Sequence, residues 1–384
     1  MLPYKILVVD DSIFMRKMIT DLISEDTQFQ VIGTAKNGKE AVNMVKTLKP
    51  DAITMDIEMP EMNGLDALKI IMDVQPTPVI MLSSLTQDGA RETIVALERG
   101  AVDFVGKPSG SISLDLHRVR ELLLEKLHIA VKTNVMKFRS NPIWTSPISR
   151  SKAVPRVEEL PKVNKGNTAS EVNFFKTTPV APLFSNQQVS SQVQQIVAIG
   201  TSTGGPRALH QVISHIPGHL PAPVVIVQHM PPNFTKSLAQ RLNSVSELHV
   251  VEAEEGMILQ NGHAYVAPGG FHMTVARNGP GAYKIHISKE EARGGHRPSV
   301  DILFESLLPM KELKRHIVLM TGMGADGAKG MLALKNAGAV TTIAESEETC
   351  IVYGMPRAAV ELNCVMHVLA QQEIASKLTQ VVCK

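Results

Sequence analysis

The chain of 384 residues is long enough for two or three domains at roughly 150 residues each, and its 44% hydrophobic content, with 26 Gly and 23 Pro in no collagen-like period, is that of an ordinary folded protein. Its 39 Lys plus Arg nearly balance 37 Asp plus Glu, and a net charge of +2 provides no broad field for holding nucleic acid or an anionic membrane. Cys350, Cys364 and Cys383 lack zinc-type spacing and disulfide density, and the chain shows neither a signal-peptide pattern nor an apolar run of the roughly 18 residues a membrane span needs. The expectation is a cytoplasmic, monomeric protein without membrane insertion.

The first part alternates short apolar runs with longer amphipathic ones, the pattern of a parallel sheet covered on both faces. Ile6–Val9 precedes a helical stretch near Ile13 to Ile23, and Val31-Ile32 one near Lys39 to Leu48. Ala52 to Met55, Val79 to Leu82 and Val102 to Val105 follow, each trailed by a helix, the last from about Leu114. Five βα units make a complete doubly wound domain, set at residues 1–127. From about Arg139 to Gln192 periodicity fails and prolines recur at 142, 147, 155, 161, 179 and 182. So long an unpatterned stretch is rare inside a compact domain, and residues 128–192 are read as a helix end and linker. Phe174, Phe175 and Phe184 either dock on a neighbour or share its disorder.

Residues 193–384 resume the alternation with Ile196 to Ile199, Val224 to Val227, Ile317 to Met320 and Val340 to Ile343, and end in two helices. Between them, His263-Ala-Tyr-Val-Ala and Tyr283-Lys-Ile-His-Ile read as antiparallel strands of a small insertion. The fold class is therefore α/β in two domains, each a doubly wound parallel sheet.

In the first domain Asp10 and Asp11 follow one strand and Asp56 another, and ligands collect at the carboxyl ends of parallel strands. Clustered carboxylates there suit Mg²⁺. Ser83 ends the fourth strand and Lys107 follows the fifth, which adds a hydroxyl and a cation to one anion-handling pocket. With Val-Val-Asp-Asp-Ser at 8–12, Met-Asp-Ile-Glu-Met-Pro at 55–60, Leu-Ser-Ser at 82–84 and Lys-Pro at 107–108, this part resembles the flavodoxin-like receiver domains of two-component response regulators. The resemblance implies that Asp56 accepts a phosphoryl group from a histidine kinase. It also implies Mg²⁺ held by Asp11, Asp56 and the backbone carbonyl of Glu58, with Asp10 assisting through water, and Ser83 and Lys107 on the phosphoryl oxygens. Phe104 stands at the family's aromatic switch position and reads equally as core filler.

In the second domain Gly200-Thr-Ser-Thr-Gly204 lies between a strand and a helix, the context of a nucleophile turn exposing Ser202. The rival, a dinucleotide loop, needs glycine at position 202 and an acid about 20 residues on; the next strand ends instead in Gln228-His229. A serine needs a base, and His229 at the neighbouring strand end fits. A third strand runs into Thr321-Gly-Met-Gly-Ala-Asp326, where Asp326 either orients the imidazole or serves only as a helix N-cap. The order Ser, His, Asp differs from that of the α/β-hydrolases. With Gln228-His-Met-Pro-Pro, Ala267-Pro-Gly-Gly and Arg297-Pro-Ser-Val-Asp, the chain resembles the chemotaxis protein-glutamate methylesterases, the CheB family.

That resemblance implies a cofactor-free hydrolase, controlled by phosphorylation, that demethylates glutamate methyl esters on chemoreceptors and deamidates certain glutamines. Ser202 would be nucleophile, His229 the proton carrier and Asp326 its orienting carboxylate, with backbone N–H groups near Thr203 and Met323 as oxyanion candidates. Family behaviour implies that the receiver covers the active site until Asp56 is phosphorylated. Two departures stand out: Thr201 replaces the alanine often found before the nucleophile, and the connecting segment is long. The competing readings are a binding output domain, weakened by the near-zero charge and the βα texture, and a nucleotide-binding output using the glycine-rich loop.

Overall fold

The structure, a computed structural model, describes residues 2–107, 113–133, 135 and 192–384. The linker with Phe174, Phe175 and Phe184, and Pro108 of the Lys-Pro pair, lie outside these residues.

The first sheet carries β1 (Tyr4–Val9), β2 (Phe29–Ala35), β3 (Ala52–Asp56), β4 (Val79–Ser83) and β5 (Asp103–Gly106) in the order β2-β1-β3-β4-β5, all parallel. Its helices are α1 (Ile13–Ser24), α2 (Gly38–Leu48), α3 (Gly64–Val74), α4 (Gln87–Glu98) and α5 (Ser113–Ala130). The first four start where a side chain takes up an unpaired backbone N–H: Ser12, Asn37, Asn63 and Thr86 accept from Met15, Glu40, Asp66 and Gly89. Apolar residues of β1, β3 and β4 are buried on both faces, as a helix-covered parallel sheet requires.

The second sheet has seven strands, ordered β14-β13-β12-β6-β7-β9-β8. They are β6 (Gln195–Thr201), β7 (Val224–Gln228), β8 (His249–Glu252), β9 (His263–Val266), β12 (Lys314–Leu319), β13 (Thr341–Glu345) and β14 (His367–Leu369), with β10 (His272–Arg277) and β11 (Tyr283–Ser288) forming a separate antiparallel pair. The helices are α6 (Gly205–Ile213), α7 (Phe234–Val245), α8 (Val300–Ser306), α9 (Ala328–Asn336), α10 (Met355–Glu361) and α11 (Gln371–Val382). Strand order reverses between β6 and β12, so a crevice opens at their carboxyl ends.

One expectation is corrected here. The His263-Ala-Tyr-Val run is not antiparallel but pairs in parallel with both β7 and β8 inside the main sheet. Ala264, Tyr265 and Val266 are all buried, the continuous burial of a parallel strand, whereas β11 alternates between buried and accessible positions. The three-residue edge strand β14, between the two closing helices, is too short to leave a periodic signal.

Both sheets belong to one compact unit, joined where α4 packs on α6 and α7. Glu98 at the end of α4 accepts a hydrogen bond from His210 Nδ1 at 2.8 Å and shares the single Arg241 Nε–H between its two oxygens at 2.9 and 3.0 Å. Phe104 of β5 stacks on Phe234 of α7 with ring centroids 4.5 Å apart. His210 is thus buried in the contact between the halves.

Candidate functional site

At the switch point of the first sheet, Asp10, Asp11 and Asp56 each present a carboxylate oxygen within 4.8 Å of the others. Lys107 Nζ stands 2.8 Å from Asp10 and 2.7 Å from Asp56. Burial pushes the Asp56 carboxyl up to about 6, with Lys107 pulling it down and Asp10 adding to the rise. Burial works against the Lys107 ammonium too, but its bonds to Asp10 and Asp56 prevail and hold its pKa above the ordinary value. Glu58 has its side chain in solvent. The Ser83 hydroxyl is drawn away into α4: it donates toward the Gly89 carbonyl at 3.2 Å and accepts from Thr93 at 2.7 Å. Phe104 is buried and turned to the second domain rather than to solvent.

At the switch point of the second sheet, three strand ends contribute. Ser202 leaves β6 in a turn whose Gly204 takes a φ of +79°, a conformation costly for any residue with a Cβ. Its N–H donates to the Thr321 carbonyl at 3.0 Å, which ties it to the segment after β12. That approach is close: a Cβ on Gly322 would fall 2.7 Å from the Ser202 Cβ. His229 follows β7 and donates from Nε2 to Asp326 Oδ2 at 2.8 Å.

Asp326 is not the cap of its own helix, whose N-cap is Gly327. It instead receives the Ser299 hydroxyl at 2.9 Å and the N–H groups of Val300 and Asp301 at 2.7 and 2.9 Å, at the start of α8. The helix N-cap reading left open in sequence is therefore corrected: the carboxylate holds the imidazole and takes up N–H groups at the start of α8, whose own N-cap is Ser299. Burial alone would raise its pKa; the bond and charge of His229 and the N–H donors outweigh this and bring it to about 2.

His229 Nδ1 is buried and has no hydrogen-bond partner among the described residues. The structure thus joins His229 to Asp326 and places Ser202 at the adjoining strand end, but no hydrogen bond links the Ser202 hydroxyl to the imidazole in this state. Thr203 is buried, and Met323 is 41% exposed at the rim. The Thr203 hydroxyl donates at 2.6 Å to Asp103 of β5, which also pairs with Lys126 at 2.5 Å. The first domain therefore grips the residue beside Ser202.

Sequence reasoning missed His296, whose ring lies flat on that of His229, centroids 3.9 Å apart and planes within 7°. Burial, and then the neighbouring His229, lower its pKa to about 4, so it is neutral near pH 7. Its proximity to Arg297-Pro-Ser-Val-Asp was the available signal.

Comparison with known proteins places both halves of the chain in known families. Residues 6–117 match the family described as response regulator receiver domain, and residues 197–378 that described as CheB methylesterase. The protein-glutamate methylesterase/protein-glutamine glutaminase of Halalkalibacterium halodurans is 46% identical over 98% of this chain and 97% of its own, and that of Bacillus subtilis is 44% identical over 99% of each. Among solved structures, the catalytic domain of Thermotoga maritima CheB methylesterase is 45% identical and covers 49% of this chain and 98% of its own, with a TM-score of 0.47. Two such domains in one chain define a response regulator with an enzymatic output, a hydrolase. The chain belongs to the CheB family of receiver-linked protein-glutamate methylesterases.

Proposed function

We propose that this chain removes methyl groups from glutamate methyl esters of chemoreceptors and deamidates specific receptor glutamines, under control of a histidine kinase that phosphorylates Asp56. The observation that carries the chemistry is the state of His229: Nε2–H is committed to Asp326, which leaves Nδ1 buried and unpartnered as the lone pair that can take a proton. Ser202 Oγ attacks the γ-carbonyl carbon while His229 Nδ1 accepts its proton. The tetrahedral oxyanion is met by backbone N–H groups near Thr203 and Met323. Collapse breaks the ester carbon–oxygen bond, or the carbon–nitrogen bond of a glutamine, as the proton passes from Nδ1 to the leaving oxygen or nitrogen, which departs as methanol or ammonia. Water, activated by the same nitrogen, then hydrolyses the acyl-enzyme. The Asp326 carboxylate, kept ionised by its donors, stabilises the imidazolium formed at each step.

The kinase reaction is assigned to the first domain. Asp56 supplies the acceptor carboxylate, and the three-carboxylate cluster fits Mg²⁺, with Asp11, Asp56 and the Glu58 carbonyl as holders and Asp10 behind them. A cation held by these residues would supply positive charge against the phosphoryl oxygens. Ser83 and Lys107 then turn to the phosphoryl oxygens. Moving Ser83 off Gly89 and Thr93 disturbs α4, the element whose Glu98 holds the second domain. Asp103 on Thr203 and Phe104 on Phe234 support a receiver that restrains the active site until that movement. No described helix is long and apolar enough to cross a membrane.

The test is methanol release from carboxyl-methylated receptor membranes with and without a small phosphodonor. Ser202→Ala is expected to lose nearly all turnover with its melting temperature kept. Retained turnover would exclude the serine mechanism.

A further inference from the structure

We propose that Gln228 is a positioning residue that sets the spacing between Ser202 and His229, an inference that rests on the triad reading above. β6 and β7 are neighbours in register, Thr201 opposite Gln228. Beyond that pair the strands part, Ser202 turning toward α6 and His229 toward α7. The Gln228 side chain bridges the gap. Its amide nitrogen donates to the Ser202 carbonyl at 2.9 Å and to the His229 carbonyl at 3.1 Å. Its amide oxygen accepts the Thr201 hydroxyl at 2.6 Å.

Chemistry fixes this orientation, because two carbonyl oxygens can be met only by the NH₂ end. Thr201 is fully buried and Gln228 nearly so, which leaves little room for water to replace either bond. The space is reserved as well: a Cβ on Gly205 would fall 1.9 Å from the Gln228 amide oxygen, so the glycine after Gly204 is required by the clamp. One side chain thus holds the main chain of both the nucleophile and the base, and Thr201, the departure noted in sequence, orients it.

The experiment uses the full chain, activated by phosphodonor, with Gln228→Met, Gln228→Glu and Thr201→Val. Methanol release gives kcat and KM over a pH series, and melting temperature reports folding. Both Gln228 variants are expected to lose kcat by ~10- to 100-fold with KM within ~2-fold, the mark of misplaced reacting groups. Thr201→Val, which keeps the amide but frees its orientation, is expected to fall between. The Glu variant carries the sharper signature. Its ionised carboxylate repels both carbonyls and its protonated form regains one donor, so its rate relative to the parent is expected to rise as pH falls, while that of Gln228→Met stays level. Unchanged kcat, or a relative rate for Gln228→Glu independent of pH, would overturn the proposal. If Gln228→Met melts early, Thr201→Val decides by the same kcat criterion. Ser202→Ala separates the two layers: turnover surviving in it defeats the triad, whereas its loss beside full kcat in the Gln228 variants defeats only the clamp.

Discussion

Glu98→Ala in the unphosphorylated chain tests whether the contact between the domains restrains the enzyme. Glu98 is 9% exposed and accepts from His210 and Arg241 across the boundary. Burial by itself would raise its pKa, but the His210 and Arg241 bonds hold it below the ordinary carboxylate value, so at neutral pH it is an anion with two cross-domain donors. A hydrogen bond to a charged group contributes about 1.5–3 kcal/mol. Arg241 is 41% exposed, and in the separated state water replaces both donors, so the net loss of docking is about 2 kcal/mol. That corresponds to about 30-fold in the ratio of closed to open chain. Basal methanol release is expected to rise toward, and stop at, the rate of a chain lacking residues 1–190, while the phosphodonor-stimulated maximum stays the same. His210→Ala should act in the same direction, and the double variant by less than the sum, because the two share one contact. A basal rate unaltered in a folded Glu98→Ala protein would refute the restraint.

The phosphoacceptor provides a pH test. With Asp56 raised to about 6 by burial, its carboxyl in the metal-free chain should lose its proton between pH 5 and pH 7 with a midpoint near 6, read by NMR titration of the side chain. Because the folded-state pKa lies above the ordinary carboxylate value, stability is lost as pH rises from 3.8 to about 6 and levels off above it. Asp56→Asn should therefore gain melting temperature over the parent at pH 7 and not at pH 4; a flat difference would contradict the burial effect. His296 is the last test. His296→Phe keeps a flat ring against His229 and should retain most turnover, whereas His296→Ala removes the wall that fixes the imidazole and should cost about tenfold in kcat. Equal loss in both variants would point to the imidazole itself rather than to stacking.

Much of this protein is determined locally, and that part can be read without coordinates. The apolar runs ending in Asp10, Asp56, Ser202 and His229 are strands because alternation and burial demand it, and parallel-sheet geometry puts strand ends on one edge. The chain alone therefore indicated two doubly wound domains and both clusters of functional residues. What depended on packing could not be read. The direction of the His263–Val266 strand follows from which neighbour it joins, and its composition suits either direction. His210 and Glu98 lie 112 residues apart and carry no mutual signal until α4 meets α6. Ring stacking of His296 on His229, the two-way role of Asp326, and the amide of Gln228 between two carbonyls arise from side-chain direction in three dimensions. Residue type and spacing settle which groups reach the sheet edge, because strand and helix periods are local properties. Which of them touch is decided only when distant segments close on one another.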